Sequence, residues 1–230
     1  IRIRQFIKRR RTRRLFAIGG KTMFEVLRFG VIPFAEAWEW QKKLVREIDA
    51  GKKANQLLLL EHPHTITLGR GSHQEHLLLS EEQYAQLGIQ IYTIDRGGDV
   101  TYHGPGQLVG YPLFFLGEGR YDAHGYLRQL EEVLIQTLSV WGIQASRKKG
   151  YTGVWVDDAK IAAIGVKFHR SRNRRGYITS HGFALNVNPD LSYFQTIIPC
   201  GIREYPVTSM VEILGENIPL SHVMEQVVNA

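Results

Sequence analysis

The stretch "RGGDVTYHGPGQLVGY", Arg96 to Tyr111, decides the reading of this 230-residue chain. Five glycines and one proline interrupt residues that otherwise favour strands, among them Val100, Tyr102, Val109 and Tyr111. Glycine at such places lets the backbone turn sharply and lets another group approach it closely. Arg96, Thr101, Tyr102, His103 and Gln107 surround that bare backbone with polar groups. Two readings stay open on composition: a wide hairpin carrying glycines at positive φ, or the wall of a binding site. The glycine spacing does not fit the dinucleotide-binding fingerprint.

Outward from this segment the chain alternates irregularly between strands and helices. On the N-terminal side, Met23–Phe29 reads as a strand, and Pro33 opens a helix running to Ala50 with Gly51 as its stop. Gln56–Glu61 is a short apolar strand, followed by a loop rich in His and Gly. Ser80 and Gln83 form a capping box for a helix that Gly88 ends, and Ile89–Ile94 is a strand. On the C-terminal side, "LVGYPLFF" is a buried strand and Asp122 caps a helix through Trp141. Strands follow at Gly153–Val156, Lys160–Phe168 and Ile178–Val187, with Asp157-Asp158 as a turn. Short helices near Leu191–Gln195, Thr208–Leu214 and Ser221–Val228 complete the chain. Regular βαβ units are absent. The pattern predicts an α+β fold with a mixed, largely antiparallel sheet flanked by helices.

Composition bounds the function classes. Hydrophobic content of 43% and charged content of 22% are ordinary for a globular protein. One cysteine excludes an intramolecular disulfide and a cysteine-rich zinc site. The longest apolar runs are too short to span a bilayer. The net charge of +7 is concentrated in residues 1–22, which hold nine Lys/Arg and no acid. From Met23 onward 20 basic and 22 acidic residues remain, a net charge of −2. Residues 1–22 are expected to be a disordered or artefactual basic extension, with a targeting segment and a nucleic-acid-binding arm as alternatives. Residues 23–230 are expected to form a single domain. "GGKT" at Gly19–Thr22 fails as a phosphate loop, because Leu15 stands where the first glycine is required.

Four further features carry candidate chemistry. Cys200, in "IIPCGI", is either a small core hydrophobe or a nucleophile. Lys160 follows an Asp-Asp turn, as many surface lysines do. His62, His64, His73 and His76 lie close together, but their spacing is loose for a metal, and none is expected. "KFHRSRNRRGY", Lys167–Tyr177, reads either as a solvated basic loop or as a docking edge for an acidic partner.

The glycine-rich segment resembles the signature of the lipoyl(octanoyl) transferases. The resemblance continues, in order, through "EHPHTITLGRG", "GVWVDDAKIAAIGVK", "HGFALNVNPDL" and "IIPCGI", and spans Phe24 to Leu214. It implies the α+β fold shared with biotin and lipoate protein ligases. It also implies an acyltransferase that takes octanoyl from acyl carrier protein, holds it on a cysteine and delivers it to a lysine of a lipoyl domain. Matched by position, Cys200 is the acyl-thioester nucleophile and Lys160 its partner. Arg96, Gly97, Gly98, Asp99, Val100, Thr101, Tyr102 and His103 match the substrate-binding segment. Ala163, Ile164 and Gly165, with His181, Gly182, Phe183 and Ala184, match two further substrate-lining stretches. Lys167–Tyr177 departs from the pattern as a basic insertion.

The implied chemistry is self-consistent. An ordinary thiol is a few per cent thiolate at pH 7, a shortfall of about 2 kcal/mol that a neighbouring ammonium offsets. Exposing the free amine of an acceptor lysine costs about 4.6 kcal/mol at that pH, so a general base is needed. Thioester exchange is nearly isoenergetic and the final amide is more stable. The expected cofactor list is therefore empty, apart from the phosphopantetheine that carries the donor acyl group. The expected partners are acyl carrier protein, lipoyl domains of 2-oxoacid dehydrogenase complexes and the glycine cleavage H protein, with no nucleic acid or membrane. The expected compartment is the cytoplasm. The alternative is an ATP-dependent lipoate or biotin ligase of the same fold, which needs no cysteine; a nucleic-acid-binding protein leaves "PCGI" unexplained.

Overall fold

The computed structural model describes residues 13–17, 21–118, 122–201 and 204–230, with side chains from residue 24 onward. Nine of the described strands form one sheet, β1-β2-β3-β7-β12-β11-β10-β9 with β8 beside β12. They are β1 (Arg13–Ala17), β2 (Lys21–Val31), β3 (Asn55–Glu61), β7 (Gln107–Leu113), β8 (Phe115–Gly117), β9 (Ser146–Lys148), β10 (Tyr151–Val156), β11 (Ala159–Arg170) and β12 (Gly176–Asn186). Three more, β4 (Thr65–Leu68), β5 (Gln90–Thr93) and β6 (Val100–His103), make a small second sheet in the order β5-β4-β6. Pairing is antiparallel except for β2 with β3 and β4 with β5. This is the mixed, largely antiparallel α+β fold expected.

The large sheet is the middle of three layers. In β3, Leu57 and Leu59 point into one core and Leu58 and Leu60 into the other, so the continuous apolar run reflects burial on both faces. Helix α1 (Phe34–Asp49) covers the second face with Phe34, Ala37, Gln41, Val45 and Ile48, whose spacing forms one stripe. Helices α3 (Ala123–Ser139) and α5 (Leu220–Asn229) cover the first face through Leu130, Leu134, Leu138, Val223 and Val227. The short α2 (Glu81–Gln86) carries the capping box on Ser80 and packs Tyr84 into the core of the small sheet. The last short helix, α4 (Met210–Leu214), is capped by Ser209.

Several local expectations are corrected. The His- and Gly-rich loop contains β4, and the glycine-rich segment contains β6, each paired with the other in antiparallel register. The short helix expected near Leu191–Gln195 is present as a 3-10 helix, Leu191–Thr196. Part of the expected basic extension is strand: Arg13–Ala17 pairs with Lys21–Glu25, while 1–12 and 18–20 lie outside the described residues. The Lys167–Tyr177 segment is not simply a solvated loop. It extends the β11–β12 hairpin, and its tip docks on the end of α1, where Asp49 accepts hydrogen bonds from Ser171 and Asn173.

A buried acid ties α3 to the strands that carry Lys160. Glu131, with 1% of its side chain exposed, contacts Arg128 at 2.6 Å and Arg147 at 3.1 Å. It also accepts a hydrogen bond of 3.1 Å from the Gly153 N–H. Water screens the two partly exposed arginines, so the main loss on truncation is the orphaned backbone donor. Glu131→Ala is expected to lower stability by about 2 kcal/mol in denaturant unfolding. An unchanged midpoint would contradict this account of the α3 contact.

Candidate active site

Cys200 sits in the turn Pro199–Gly201 with φ 58° and ψ 20°, a left-handed conformation rare for a non-glycine residue. Gly201 follows at φ 68°. The preceding Ile197 and Ile198 are buried and act as the anchor. Ile197 bridges Leu77, and the Ile198 N–H donates to the His76 carbonyl at 2.9 Å. Beyond Cys200, a side chain at Gly201 would collide with Asp99, its Cβ 2.7 Å from Oδ2. The turn is therefore pinned on both sides, leaving Cys200 partly exposed between them.

Lys160 reaches the sulfur from β11. Its backbone is fixed by hydrogen bonds to Pro206 and Thr208, at 2.9 and 3.0 Å. Its Nζ lies 3.3 Å from Cys200 Sγ and 4.8 Å from the centroid of the Trp155 ring, its cross-strand partner. The side chain is 7% exposed. Aromatic and sulfur contacts thus aim a nearly dry ammonium at the thiol.

The glycine-rich segment supplies a second buried cation. Arg96 donates to the Thr67 carbonyl at 2.8 Å and to its hydroxyl at 2.9 Å. A Cβ on Gly165 would fall 2.9 Å from both Arg96 Cδ and the Gly97 carbonyl, so only glycine admits this approach. Burial pulls the Arg96 guanidinium below its ordinary pKa, and the nearby Asp99 carboxylate opposes that pull. His181, at φ 56°, donates from Nε2 to Asp95 at 2.9 Å, and Lys167 pairs with the other Asp95 oxygen. The His181 hydrogen bond and Lys167 hold the Asp95 carboxyl far below the usual carboxylate range, while burial lowers His181 itself.

These side chains surround one cavity of about 590 Å³. Its lining includes Cys200, Lys160, Arg96, Gly98, Asp99, Thr101 and His103, with Ala163–Gly165 and His181–Ala184 from the paired strands β11 and β12. Three expected residues do not line it. Strand alternation turns Val100 and Tyr102 into the core of the small sheet, and the Gly97 N–H is engaged by the Val166 carbonyl. Phe34, Val109 and Tyr111 line the cavity unanticipated, as do His73 and His76. Phe34 lies in a segment read only as helix, and Val109 and Tyr111 lie in the part of the glycine-rich stretch read also as a buried strand; His76 was visible only within the histidine cluster.

That cluster is dispersed. His62 contacts the Ile32 carbonyl and the Tyr111 hydroxyl, at 2.6 and 2.7 Å, and His64 stacks on Tyr193. Among the described residues no group of three His, Cys, Asp or Glu is arranged to hold a metal ion.

A family model described as the lipoyl protein ligase A/B catalytic domain matches residues 33–230. An octanoyltransferase of Rubrobacter xylanophilus is 52% identical over 201 residues, 87% of this chain and 88% of that protein. The chain belongs to this octanoyltransferase family. It is an acyltransferase, and its activity is octanoyl transfer in protein lipoylation. A crystal structure of lipoate-protein ligase A bound with ATP superposes with a TM-score of 0.73 at 16% identity, covering 89% of this chain and 82% of that one. A bi-partite lipoate protein ligase studied with its E2 lipoyl domain, from Thermoplasma acidophilum, gives 0.63 at 16% identity over 86% of this chain and 78% of that one. At such identity these two describe the fold the octanoyltransferase shares. No helix among its described residues is long and apolar enough to cross a membrane.

Burial keeps the inner histidines of this octanoyltransferase neutral. His62 is pushed down to about 4 and His103 to about 3, from an ordinary 6.5. Both take up a proton on unfolding, so the stability they contribute is present above pH 6.5 and is lost as pH falls towards those values. Of the nine histidines, these two and His169, which burial also lowers to about 4, should show no imidazole NMR titration above pH 5. Titration of all nine near pH 6.5 would refute the buried, neutral assignment.

Proposed function

We propose that the chain transfers octanoyl from acyl carrier protein, through a thioester on Cys200, to a lysine of lipoyl domains. The acceptors are those of 2-oxoacid dehydrogenase complexes and the glycine cleavage H protein, the compartment is the cytoplasm, and neither nucleotide nor metal takes part. The observation that carries this reading is the Lys160 Nζ contact with Cys200 Sγ, 3.3 Å, at a cavity walled by small residues. An ammonium at that distance stabilises negative charge on sulfur, which makes the thiol a nucleophile. Ala163, Gly165, Gly182 and Ala184 leave room beside it for a straight aliphatic chain. Burying six methylenes there supplies about 5 kcal/mol of binding. Exposed Arg170 and Arg172 on the β11–β12 hairpin offer a basic edge to an acidic carrier.

The route has two exchanges. The Cys200 sulfur attacks the donor thioester, and the pantetheine thiolate leaves with a proton from Lys160. The amine of the acceptor lysine then attacks the Cys200 thioester, and the sulfur leaves as the amide forms. Arg96 and Lys160 are the cations nearest the charge that develops on sulfur and oxygen.

Octanoyl-acyl carrier protein and an apo lipoyl domain should give octanoylated acceptor without ATP or Mg²⁺, and free octanoate should be inert. Use of free octanoate only with ATP, and no use of the carrier thioester, would establish the ligase alternative instead.

Lys160→Ala should lower turnover by about 10²-fold or more while leaving the thermal midpoint close to wild type. Lys160→Arg should not restore it, because guanidinium retains its proton at neutral pH. Near-wild-type turnover in either variant would remove Lys160 from the mechanism.

A further inference from the structure

We infer that His76, paired with Asp99, is a second proton acceptor of the reaction, serving the amide-forming step alone. The inference rests on the thioester route through Cys200, and it follows from counting protons along that route. In the first exchange the Sγ–carbonyl bond forms, the donor C–S bond breaks, and the departing thiolate takes the Lys160 proton. Lys160 is then neutral. In the second exchange the acceptor arrives as an ammonium with three N–H protons and ends as an amide with one. Lys160 takes up one of the two protons shed and returns to its starting state, while Cys200 leaves as thiolate. One proton is left over, and the Cys200–Lys160 pair has no place for it. The count is the same if that pair rests as thiol and amine.

The structure offers few receivers for this proton at the cavity wall. His103 is spent on Gln107 at 2.8 Å and Thr67 at 3.4 Å, and burial disfavours its charged form. His181 already donates to Asp95 and is 3% exposed, so it has no path to water. His76 differs on each point. Its Nδ1 lies 2.6 Å from Asp99 Oδ2, and its side chain is 15% exposed at the cavity wall. Nδ1 makes no hydrogen bond of its own, so the Asp99 contact is one of proximity and charge alone. Asp99 in turn is held by the Val100 N–H at 2.6 Å. The imidazole abuts the residue after the nucleophile: a Cβ on Gly201 would be 3.0 Å from His76 Cε1. On the outer side the ring of exposed His73 lies 5.5 Å away, which gives the proton a way to solvent. With the carboxylate against Nδ1, Nε2 is the ring nitrogen left to take up a proton.

The test separates the two half-reactions. Acylation of Cys200 by octanoyl-pantetheine is followed by rapid-quench intact mass, and transfer from the preformed acyl-enzyme to an apo lipoyl domain is followed in a second experiment. His76→Asn should acylate within a few-fold of wild type, yet transfer about 10²-fold more slowly. Its transfer rate should recover as pH rises and the acceptor deprotonates itself. Asp99 and His73 are in contact with His76, and Arg96, His103, Lys160, His181 and Cys200 share its cavity wall; the half-reaction split distinguishes His76 from Lys160 and Cys200, since loss of either slows acylation. In His76→Ala, added imidazole should restore transfer without changing acylation. The inference is overturned if transfer in His76→Asn matches wild type. It is equally overturned if both half-reactions slow together without response to imidazole, as a purely structural hold on the Pro199–Gly201 turn predicts. Wild-type enzyme that never carries octanoyl on Cys200 would overturn the thioester route itself, and this inference with it.

Discussion

A left-handed cysteine is the constraint on which the site depends. At φ 58° the Cys200 backbone carries a cost of about 1–2 kcal/mol that an extended turn would avoid. It persists because its neighbours are overdetermined. Ile197 and Ile198 are buried, Ile198 is bonded to the His76 carbonyl, and Gly201 is closed in by Asp99 and His76. The consequence is a thiol lifted off the core towards Lys160. A residue relaxed into the core here would be the inert small hydrophobe that cysteine usually is.

The large sheet supplies the other half of the geometry. Lys160 stands at the start of β11, fixed by the bridge to Val207, and Gly153 on β10 leaves room for its stem. Five residues further along the same strand, the bare backbone of Gly165 admits Arg96. Two cations therefore face one cavity, while burial keeps the imidazoles of His62 and His103 uncharged and the Asp95 charge is taken up by His181 and Lys167. On the proposed route, these are the cations beside the thiolate and the oxyanion.

Much of this was legible in the sequence, for identifiable reasons. Helix α1 was bounded by Pro33 and Gly51, α2 by its capping box and α3 by Asp122 and Gly142, all local signals. The long strands β3, β11 and β12 announced themselves through apolar runs buried on both faces. Strands β4 and β6 were hidden because "TITL" and "VTYH" are four residues each and mix in polar side chains, Thr67 bonding Arg96 and Thr101 and His103 facing the cavity. Pairing across the fold was the other gap. Nothing local shows that Asp95 meets His181 and Lys167, 86 and 72 residues away. The Arg174 contact with the carbonyl of Ile48 was equally silent, so the basic insertion read as free when it is docked. Within the cavity, alternation along β6 sorted Thr101 and His103 from Val100 and Tyr102, a distinction invisible until the strand was seen.

The most direct test of the account is a crystal structure of the enzyme after reaction with octanoyl-pantetheine in the absence of acceptor. The account predicts continuous density from Cys200 Sγ into an octanoyl chain lying along Ala163–Gly165 and Gly182–Ala184, with Lys160 Nζ still beside the sulfur. An acyl group on another residue, or a chain bound outside that cavity with Cys200 unmodified, would contradict it.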